Sequence, residues 1–275
     1  MRIFLPLAAL LATLCPGAVP AASMPAASEP ATSEPDVAVT WERAHVALPR
    51  RLTGGRPVFG LWRDRFVQTA VAKIAPAIRS PAVVLLHGCN GIADEEEIIK
   101  LILAQHGFAV FLPNSFARIG RRANCDVSSY ATSLFPQAHD FRLEEIDYAL
   151  DRLRAQPWID PDRIFLMGFS EGGMAAARYD GDAVAGIVIS GWHCQGRQPY
   201  VGIKAPPSVP VLTMIGGDDP WYQAKRGKHC GQMFDGRTAA TSVVLPGNGH
   251  SIVNSPIVEN AQAATEALLR FLGAE

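Results

Sequence analysis

The pentapeptide Gly168-Phe169-Ser170-Glu171-Gly172 constrains the fold of this chain more than any other feature. The apolar residues 164–167 before it predict a buried strand, and the small residues 175–177 after it predict a helix. Gly-x-Ser-x-Gly at a strand-to-helix turn is typical of a nucleophile elbow, whose strained backbone exposes the serine hydroxyl. We therefore expect Ser170 to be a nucleophile. The alternative is a chance match in a chain that contains 24 glycines.

Strands and helices alternate along most of the chain. Two short strands at 44–48 and 58–62, with a turn at Thr53-Gly54-Gly55, are expected to form an antiparallel sheet edge. Continuous apolar runs predict buried strands at 83–86, 108–112, 163–167, 184–189, 209–215 and 242–245. Helical spacing of apolar residues predicts helices that begin near Asp94, Gln137, Glu171, Trp221 and Pro256. The alternation predicts an α/β fold with a mostly parallel central sheet flanked by helices.

Several details of these elements follow from single residues. Asp94 is expected to cap its helix, which should end at Gly107, and the later helices should span 137–156, 221–234 and 256–272. Residues 63–80 show no clear pattern. Residues 113–136 are expected to form a long loop, and loops of this length inside compact domains are usually functional.

The N-terminal residues resemble an export signal. Arg2 precedes an apolar run of about 12 residues and an alanine-rich exit, which predicts a signal peptide over 1–22, cleaved after Ala21 or Ala22. A lipid anchor at Cys15 is the alternative, although Leu14 is bulky for that signal. Residues 23–38 are rich in Pro, Ala, Ser and Glu and predict a flexible linker, so the globular domain should span 39–275.

Export changes how the cysteines are interpreted. Without Cys15, four cysteines remain, an even number for an oxidising compartment, and three pairings are possible. We favour Cys89–Cys125 and Cys194–Cys230, because both members of each pair fall in loops on the expected site side. The alternative is that some of them are buried free thiols.

Composition excludes some classes of partner. The formal net charge is −1, which argues against nucleic acid as a partner because a nucleic-acid binder would need a strongly basic face. No second apolar segment reaches the length of a membrane span. The cysteine spacings resemble no zinc or redox motif, so we expect neither a metal nor a cofactor.

A serine nucleophile needs a base to remove its proton and an acid to orient that base. His250 follows the last strand in a glycine-rich loop, whereas His193 and His229 are expected to be surface or loop residues. The acid should follow the preceding strand, where Asp218 and Asp219 are both available. We favour Asp219, with Asp218 as a turn residue.

Ester hydrolysis also needs backbone N–H groups aimed at the developing oxyanion. The residue after the nucleophile, Glu171, is expected to supply one of them. The turn His87-Gly88-Cys89-Asn90-Gly91 should supply the other, from Cys89, with Asn90 as the second choice. Alternatively, this turn is only a tight connection without a ligand role.

Four motifs can be considered together: the elbow, this turn, Gly216-Gly217-Asp218-Asp219-Pro220-Trp221 and Gly247-Asn248-Gly249-His250. In combination they resemble the dienelactone hydrolase family of α/β-hydrolases. The resemblance covers about residues 80–272 and implies the α/β-hydrolase fold and a carboxylic ester hydrolase. Two positions depart from dienelactone hydrolase proper: Ser170 stands in place of a cysteine nucleophile, and Gly88 in place of a glutamate. These departures argue against dienelactone as the substrate.

We therefore expect an exported serine hydrolase that cleaves small-molecule esters or lactones through an acyl-enzyme. A peptidase of the prolyl-oligopeptidase type would share the fold and triad, but residues 1–80 leave no room for the large propeller of those enzymes. A catalytically silent binding protein is the third possibility. The arginines 118, 121 and 122 either anchor a substrate carboxylate or, as we favour, form a solvated basic face.

Overall fold

The computed structural model describes residues 36–196, 198–223 and 227–274, with the backbone alone for residues 222 and 223. The predicted signal peptide, the possible anchor at Cys15 and most of the predicted linker lie outside the described residues. The described chain begins at Asp36, where Val37 and Ala38 are already buried. The packed part of the chain therefore includes the last residues that the sequence assigned to the linker.

The secondary structure follows the predicted alternation. The strands are β1 (His45–Leu48), β2 (Val58–Leu61), β3 (Ser80–Leu86), β4 (Ala109–Leu112), β5 (Cys125–Asp126), β6 (Ala131–Thr132), β7 (Ile159–Phe169), β8 (Gly186–Ser190), β9 (Val211–Gly216) and β10 (Ala240–Leu245). The helices are α1 (Ala38–Glu42), α2 (Arg50–Thr53), α3 (Arg65–Val71), α4 (Asp94–Gln105), α5 (Ala138–Arg154), α6 (Glu171–Arg178), α7 (Pro220–Gln223) and α8 (Val258–Leu272).

Eight strands form one sheet in the order β10-β9-β8-β7-β3-β4-β1-β2. The strands from β10 to β4 are parallel to one another, and β1 pairs antiparallel with both β4 and β2. The predicted antiparallel edge and the predicted α/β class are therefore confirmed. Since these six strands are parallel, their C-terminal ends all lie at one edge of the sheet.

Helices cover both faces of this sheet. In β3 every side chain is buried, and alternate residues enter different cores. Val84 and Leu86 pack with residues of α1, α5 and α6, while Val83 and Leu85 pack with residues of α4 and α8. Burial on both faces explains the continuous apolar runs of the parallel strands.

Two predicted details of the elements are wrong. Asp94 is the first residue of α4 rather than its cap, and the exposed N–H of Ala93 is satisfied by the carboxylate of Glu96 at 3.0 Å. The predicted helix 221–234 is interrupted, because 227–229 are not helical and 230–233 form a 3-10 helix. The predicted turn at Thr53-Gly54-Gly55 follows the short helix α2, which was not predicted and which Gly54 terminates with a φ of +69°.

Two stretches without a clear pattern contain local structure. Residues 63–80, for which no secondary structure was predicted, contain α3. The long segment 113–136 contains a 3-10 helix at Ser115–Ala117 and the small antiparallel pair of β5 and β6.

Candidate active site

Four turns at the C-terminal edge of the sheet bring the predicted site residues together. The turn after β3 carries Cys89, and the turn after β7 carries Ser170. The turn after β9 carries Asp219, and the loop after β10 carries His250. All four residues and Glu171 line one cleft of about 470 Å³. Parallel strand order, rather than proximity in sequence, therefore assembles the site.

Ser170 lies on a sharp turn with strained backbone. Its φ is +57° and its ψ is −115°, a conformation that non-glycine residues rarely adopt. A Cβ at Gly168 would lie 2.0 Å from the carbonyl oxygen of Gly172, and a Cβ at Gly172 would lie 2.2 Å from that of Leu86. Both glycines are therefore required for the close approach of strand and helix at this turn.

Three side chains form a continuous hydrogen-bonded series. The Ser170 hydroxyl lies 3.0 Å from Nε2 of His250, and Nδ1 of His250 lies 2.7 Å from Oδ2 of Asp219. The other oxygen of Asp219 accepts the N–H of Trp221 at 2.9 Å, which fixes the carboxylate. Asp219 is fully buried, whereas Asp218 is exposed. This arrangement places the imidazole between the hydroxyl and a buried carboxylate, as proton transfer from serine would require.

The other two histidines are not in this series. His229 lies outside the cleft, with Nδ1 3.2 Å from the Ser242 hydroxyl. His193 was expected to be a surface or loop residue. It does lie in a loop, but it is buried and lines the cleft rather than the surface. Its Nδ1 accepts the N–H of Gln195 at 2.9 Å, within a tight turn that the sequence did not reveal.

In the turn after β3, two of the backbone amides are already engaged. The N–H of Gly88 donates to Glu96 Oε1 at 2.8 Å, and the N–H of Gly91 donates to the carbonyl of Gly88. Of the two candidates from the sequence, Cys89 lines the cleft and Asn90 does not. The turn lies against the elbow, since a Cβ at Gly88 would be 3.6 Å from the Cβ of Ser170.

Two consecutive glutamates of α4 hold the two flanking loops. While Glu96 binds the turn after β3, Glu95 accepts the N–H groups of Ile252, Val253 and Asn254 at 3.1, 2.7 and 3.0 Å. Burial raises the pKa of both carboxyls, although these backbone hydrogen bonds oppose that shift. The sequence analysis missed both residues. The sequence around Glu95 and Glu96 does not distinguish them, because acidic residues are common in the first turn of exposed helices and Asp94 to Glu97 are all acidic.

A buried ionic cluster of Arg121, Arg142, Glu145 and Glu171 lies behind the elbow. The Glu171 carboxylate accepts from Arg121 at 2.5 Å and from Arg142 at 3.1 Å, and Arg142 lies 3.2 Å from Glu145. Burial alone would raise the pKa of Glu171, but the two guanidinium groups outweigh it and lower the pKa. The carboxylate after the nucleophile is therefore ionised. Both guanidinium groups bind its Oε1, while its buried Oε2 has no hydrogen-bond partner among the described residues.

The two hypotheses for the loop arginines are both wrong for Arg118 and Arg121. Arg121 is paired within the ionic cluster, and Arg118 is buried against Asp36 and Glu144 at 2.7 and 2.8 Å. Neither lines the cleft, and neither belongs to a solvated face. Arg122 is exposed.

His87 lies beside this cluster. Its Nε2 accepts the N–H of Ser115 at 3.1 Å, and its Nδ1 donates to the carbonyl of Gly88 at 2.7 Å. Burial lowers the pKa of His87 well below 6.5, and the charge of Arg142 lowers it further. Neutral His87 thus links the turn after β3 to the 3-10 helix of the long segment.

Both favoured disulfides are present. Cys89 is joined to Cys125 and Cys194 to Cys230, with Cα–Cα distances of 5.7 and 4.8 Å. Among the described residues, no group of three or more His, Cys, Asp or Glu side chains could hold a metal ion. No helix within the described ranges has the length and apolar character needed to cross a membrane.

The chain matches one known family over most of its length. The sequence profile of the dienelactone hydrolase family matches residues 67–273, which confirms the resemblance carried by the motifs. A curated protein described as "Putative esterase NocK", from Nocardia uniformis subsp. tsuyamanensis, is 31% identical over 181 residues. The match covers 61% of this chain and 49% of that protein, so the chain spans about half the length of this relative.

Solved structures share the fold at low sequence identity. A putative dienelactone hydrolase from Klebsiella pneumoniae subsp. pneumoniae MGH 78578 has a TM-score of 0.54 and 18% identity, covering 73% of this chain and 89% of that one. The dienelactone hydrolase-like promiscuous phosphotriesterase P91 from metagenomic libraries has a TM-score of 0.53 and 21% identity, covering 72% and 86%. At these identities the similarity shows the fold alone, and it confirms the predicted α/β-hydrolase fold.

Proposed function

Since the chain belongs to the dienelactone hydrolase family, we propose that it is an exported serine hydrolase that cleaves carboxylic esters or lactones of small or medium size. One observation carries this proposal: Ser170, His250 and Asp219 form a hydrogen-bonded series with distances of 3.0 and 2.7 Å at the edge of a cleft. The similarity to a protein described as an esterase supports the same class of reaction.

In the proposed mechanism, the reaction begins when the Ser170 oxygen attacks the ester carbonyl carbon. Nε2 of His250 takes the hydroxyl proton, and Asp219 stabilises the imidazolium through Nδ1. The C–O bond to the leaving alcohol then breaks, and the alcohol oxygen receives the proton from His250. Water repeats the sequence on the acyl-enzyme, which releases the acid and restores Ser170. No metal or cofactor enters any step.

The negative charge on the carbonyl oxygen needs two donors in the tetrahedral intermediate. We assign them to the backbone N–H groups of Cys89 and Glu171. Glu171 begins α6, so its amide lies among those that have no partner within the helix. The engagement of the Gly88 and Gly91 amides within their own turn favours Cys89 as the second donor.

Export is supported by the cysteines as well as by the predicted signal peptide. Both disulfides join loops around the cleft, and disulfides persist mainly in oxidising compartments. We therefore place the working enzyme in the periplasm or outside the cell, with small molecules rather than nucleic acid as its substrates.

Hydrolysis of p-nitrophenyl butyrate by the purified mature protein tests the proposal. Asp219→Asn should lower kcat by about 10³- to 10⁴-fold because the imidazole loses its orienting carboxylate. The adjacent, exposed Asp218→Asn is the matched control and should retain most of the activity. Equal losses in both variants, or full activity in Asp219→Asn, would contradict the assignment. Turnover of aminoacyl p-nitroanilides in excess of ester turnover would favour a peptidase instead.

A further inference from the structure

The cleft beside Ser170 is lined by aromatic side chains from three separate segments. Tyr130 comes from the tip between β5 and β6, Trp221 from α7, and Trp192 and Tyr200 from the segment after β8. The aliphatic lining is small by comparison and consists of Met174 and Ile215. Leucine and isoleucine would be sufficient to bind an alkyl chain. The aromatic lining therefore indicates a different kind of ligand.

The aromatic side chains form two groups in the cleft, and one of them contacts the catalytic series through Trp221. The Trp221 ring lies 5.9 Å from the ring of His250, and Tyr130 meets Trp221 edge to face at 5.2 Å between centroids. In the other group, Trp192 lies 4.2 Å from His193, and Tyr200 lies 4.6 Å from His139. A substrate held at Ser170 would therefore meet ring faces and edges within the same cleft.

Tyr130 combines an uncommon backbone conformation with a ring that is only partly packed, through its edge-to-face contact with Trp221. Its φ is +55°, and 50% of its surface is exposed. Left-handed backbone is uncommon in a non-glycine residue, and here it occurs at the turn that joins β5 to β6. The ring lines the cleft, so its exposed part is available to a ligand.

Both disulfides fix the segments that carry these rings. Cys125 lies five residues before Tyr130 and ties the base of the β5–β6 pair to the turn after β3. Cys194 follows Trp192 by two residues and is joined to Cys230, and its carbonyl also accepts the N–H of Gly202 near Tyr200. The aromatic walls are thus preorganised, which lowers the entropy lost when a rigid ligand binds.

Among the described residues, the cleft offers no cationic side chain that would select substrates by charge rather than by aromatic contacts. None of those that line the cleft is lysine or arginine. The two carboxylates in the lining are engaged, Glu171 with Arg121 and Arg142, and Asp219 with His250. Burial lowers the pKa of His139, so this imidazole is neutral as well.

From these observations, and resting on the proposed function, we propose that the preferred substrates are esters that carry an aromatic ring in their acyl or alcohol part. Planar rings stack on, or meet edgewise, the faces of Trp192, Trp221 and Tyr130. Each such contact contributes about 0.5–1.5 kcal/mol beyond the burial of apolar area, equivalent to about two- to tenfold in kcat/KM.

A matched pair of esters tests this inference in each part of the substrate. Ethyl 3-phenylpropanoate and ethyl 3-cyclohexylpropanoate have the same leaving group, equal reactivity at the carbonyl and similar size. The corresponding pair for the alcohol part is 2-phenylethyl acetate and 2-cyclohexylethyl acetate. We expect kcat/KM to favour the phenyl ester about fivefold or more in at least one pair. A merely apolar cleft would favour the larger cyclohexyl group or neither, and that result in both pairs overturns the inference.

Variants then assign the preference to particular rings. In Tyr130→Leu and Trp192→Leu, the phenyl-to-cyclohexyl ratio should fall about threefold or more, whereas Tyr130→Phe should keep it. Phe66→Leu, which replaces an aromatic residue 56% exposed on α3, is the control and should leave the ratio unchanged. An unchanged ratio in both cleft variants overturns the assignment.

The two proposals fail in different ways. If neither these esters nor p-nitrophenyl butyrate is cleaved, the proposed function is wrong. If p-nitrophenyl butyrate is cleaved but no phenyl ester is, the proposed function stands and the aromatic preference is wrong. If the esters of each pair are cleaved with equal kcat/KM, the proposed function stands and the aromatic preference is wrong. Tryptophan fluorescence of Ser170→Ala titrated with the two propanoates measures binding without turnover, and it should show the same preference for the phenyl ester.

Discussion

Cys89 and Cys125 are joined by a disulfide, although one follows the central strand β3 and the other lies in a segment far along the chain. Cys89 is also the residue whose N–H we assign to the oxyanion hole. The bond therefore connects a catalytic turn to the strand pair that carries Tyr130. The second disulfide, Cys194–Cys230, closes a loop with the same sequence separation of 36 residues but does not involve this turn.

Removal of each disulfide in turn should separate stability from catalysis. Loss of either disulfide should lower the free energy of unfolding by about 4 kcal/mol. The two effects should be similar because the two bonds close loops of equal length in the unfolded chain. Cys89→Ser with Cys125→Ser should in addition lower kcat for p-nitrophenyl butyrate by about 10- to 100-fold, since one oxyanion donor loses its position. Urea denaturation and steady-state kinetics measure the two effects.

The pair Cys194→Ser and Cys230→Ser is the control in that experiment. It should change KM for aromatic esters through Trp192 and leave kcat for p-nitrophenyl butyrate within about threefold. Equal kcat losses in both double variants would contradict the special role of the Cys89 turn.

Glu95→Gln should lower kcat without an equal effect on KM. The three N–H groups of residues 252–254 all donate to this carboxylate, and the NH₂ group of glutamine cannot accept one of them. The loop that carries His250 would shift, and a displacement of about 1 Å at a catalytic group can cost about 100-fold. We expect a loss in kcat of about 10- to 100-fold, measured with p-nitrophenyl butyrate.

The neighbouring Asp94 provides the control for this prediction. It is exposed, begins the same helix and makes no contact with the His250 loop among the hydrogen bonds of the described residues. Asp94→Asn should retain kcat within about twofold. If Asp94→Asn and Glu95→Gln behave alike, the loss reflects the charge of the helix start rather than the loop contacts.

The sequence allowed the parallel sheet and the residues at its edge to be predicted, because continuous apolar runs have few other interpretations. The order of the motifs along the chain then led to Ser170, Asp219 and His250, which the fold brings together. The pairs Cys89–Cys125 and Cys194–Cys230 could be favoured because loops at one edge of a parallel sheet lie near each other.

Contacts between distant side chains could not be predicted. Arg121 was expected in solvent or at a substrate, but its partner Glu171 is 50 residues away and no local pattern links them. Arg142 and Glu145 did leave a signal, because they continue the buried helical stripe of Ile146 and Leu150 at positions where charge is unusual. The helix predicted over 221–234 is interrupted at Gly227, whose φ of +73° lies outside the helical region, and the chain resumes as a 3-10 helix at Cys230.

Arg142→Met should be strongly destabilising. Arg142, Glu145 and Glu171 have almost no exposure, and removal of the guanidinium leaves two buried carboxylates without this partner. Breaking a buried pair in this way costs about 3–5 kcal/mol. Arg154→Met, whose partner Asp151 is 82% exposed, should cost about 1 kcal/mol or less. Urea denaturation distinguishes these results, and similar losses in the two variants would contradict the account of the cluster.

Buried His87 should make stability depend on pH. Burial, followed by the charges of Arg142 and Arg121, lowers its pKa well below 6.5 in the folded protein, while the unfolded chain retains the ordinary value. Below about pH 6.5 the unfolded state therefore binds a proton that the folded state does not. The free energy of unfolding should fall as the pH decreases from 6.5, by up to about 1.4 kcal/mol per pH unit from this residue.

His87→Asn isolates that contribution from other titrating groups. His139, whose pKa is also lowered by burial, acts in the same direction and remains in the variant. Between pH 6.5 and 5, the slope of unfolding free energy against pH should be smaller in His87→Asn than in the wild type. Parallel slopes would contradict the neutral state of His87.

The central claim is that Ser170 attacks the substrate, and covalent labelling tests it most directly. A fluorophosphonate should react with the purified protein, and mass spectrometry of its peptides should place a single adduct on Ser170, while Ser170→Ala should remain unlabelled. Labelling at another residue, or equal labelling of Ser170→Ala, would contradict the account.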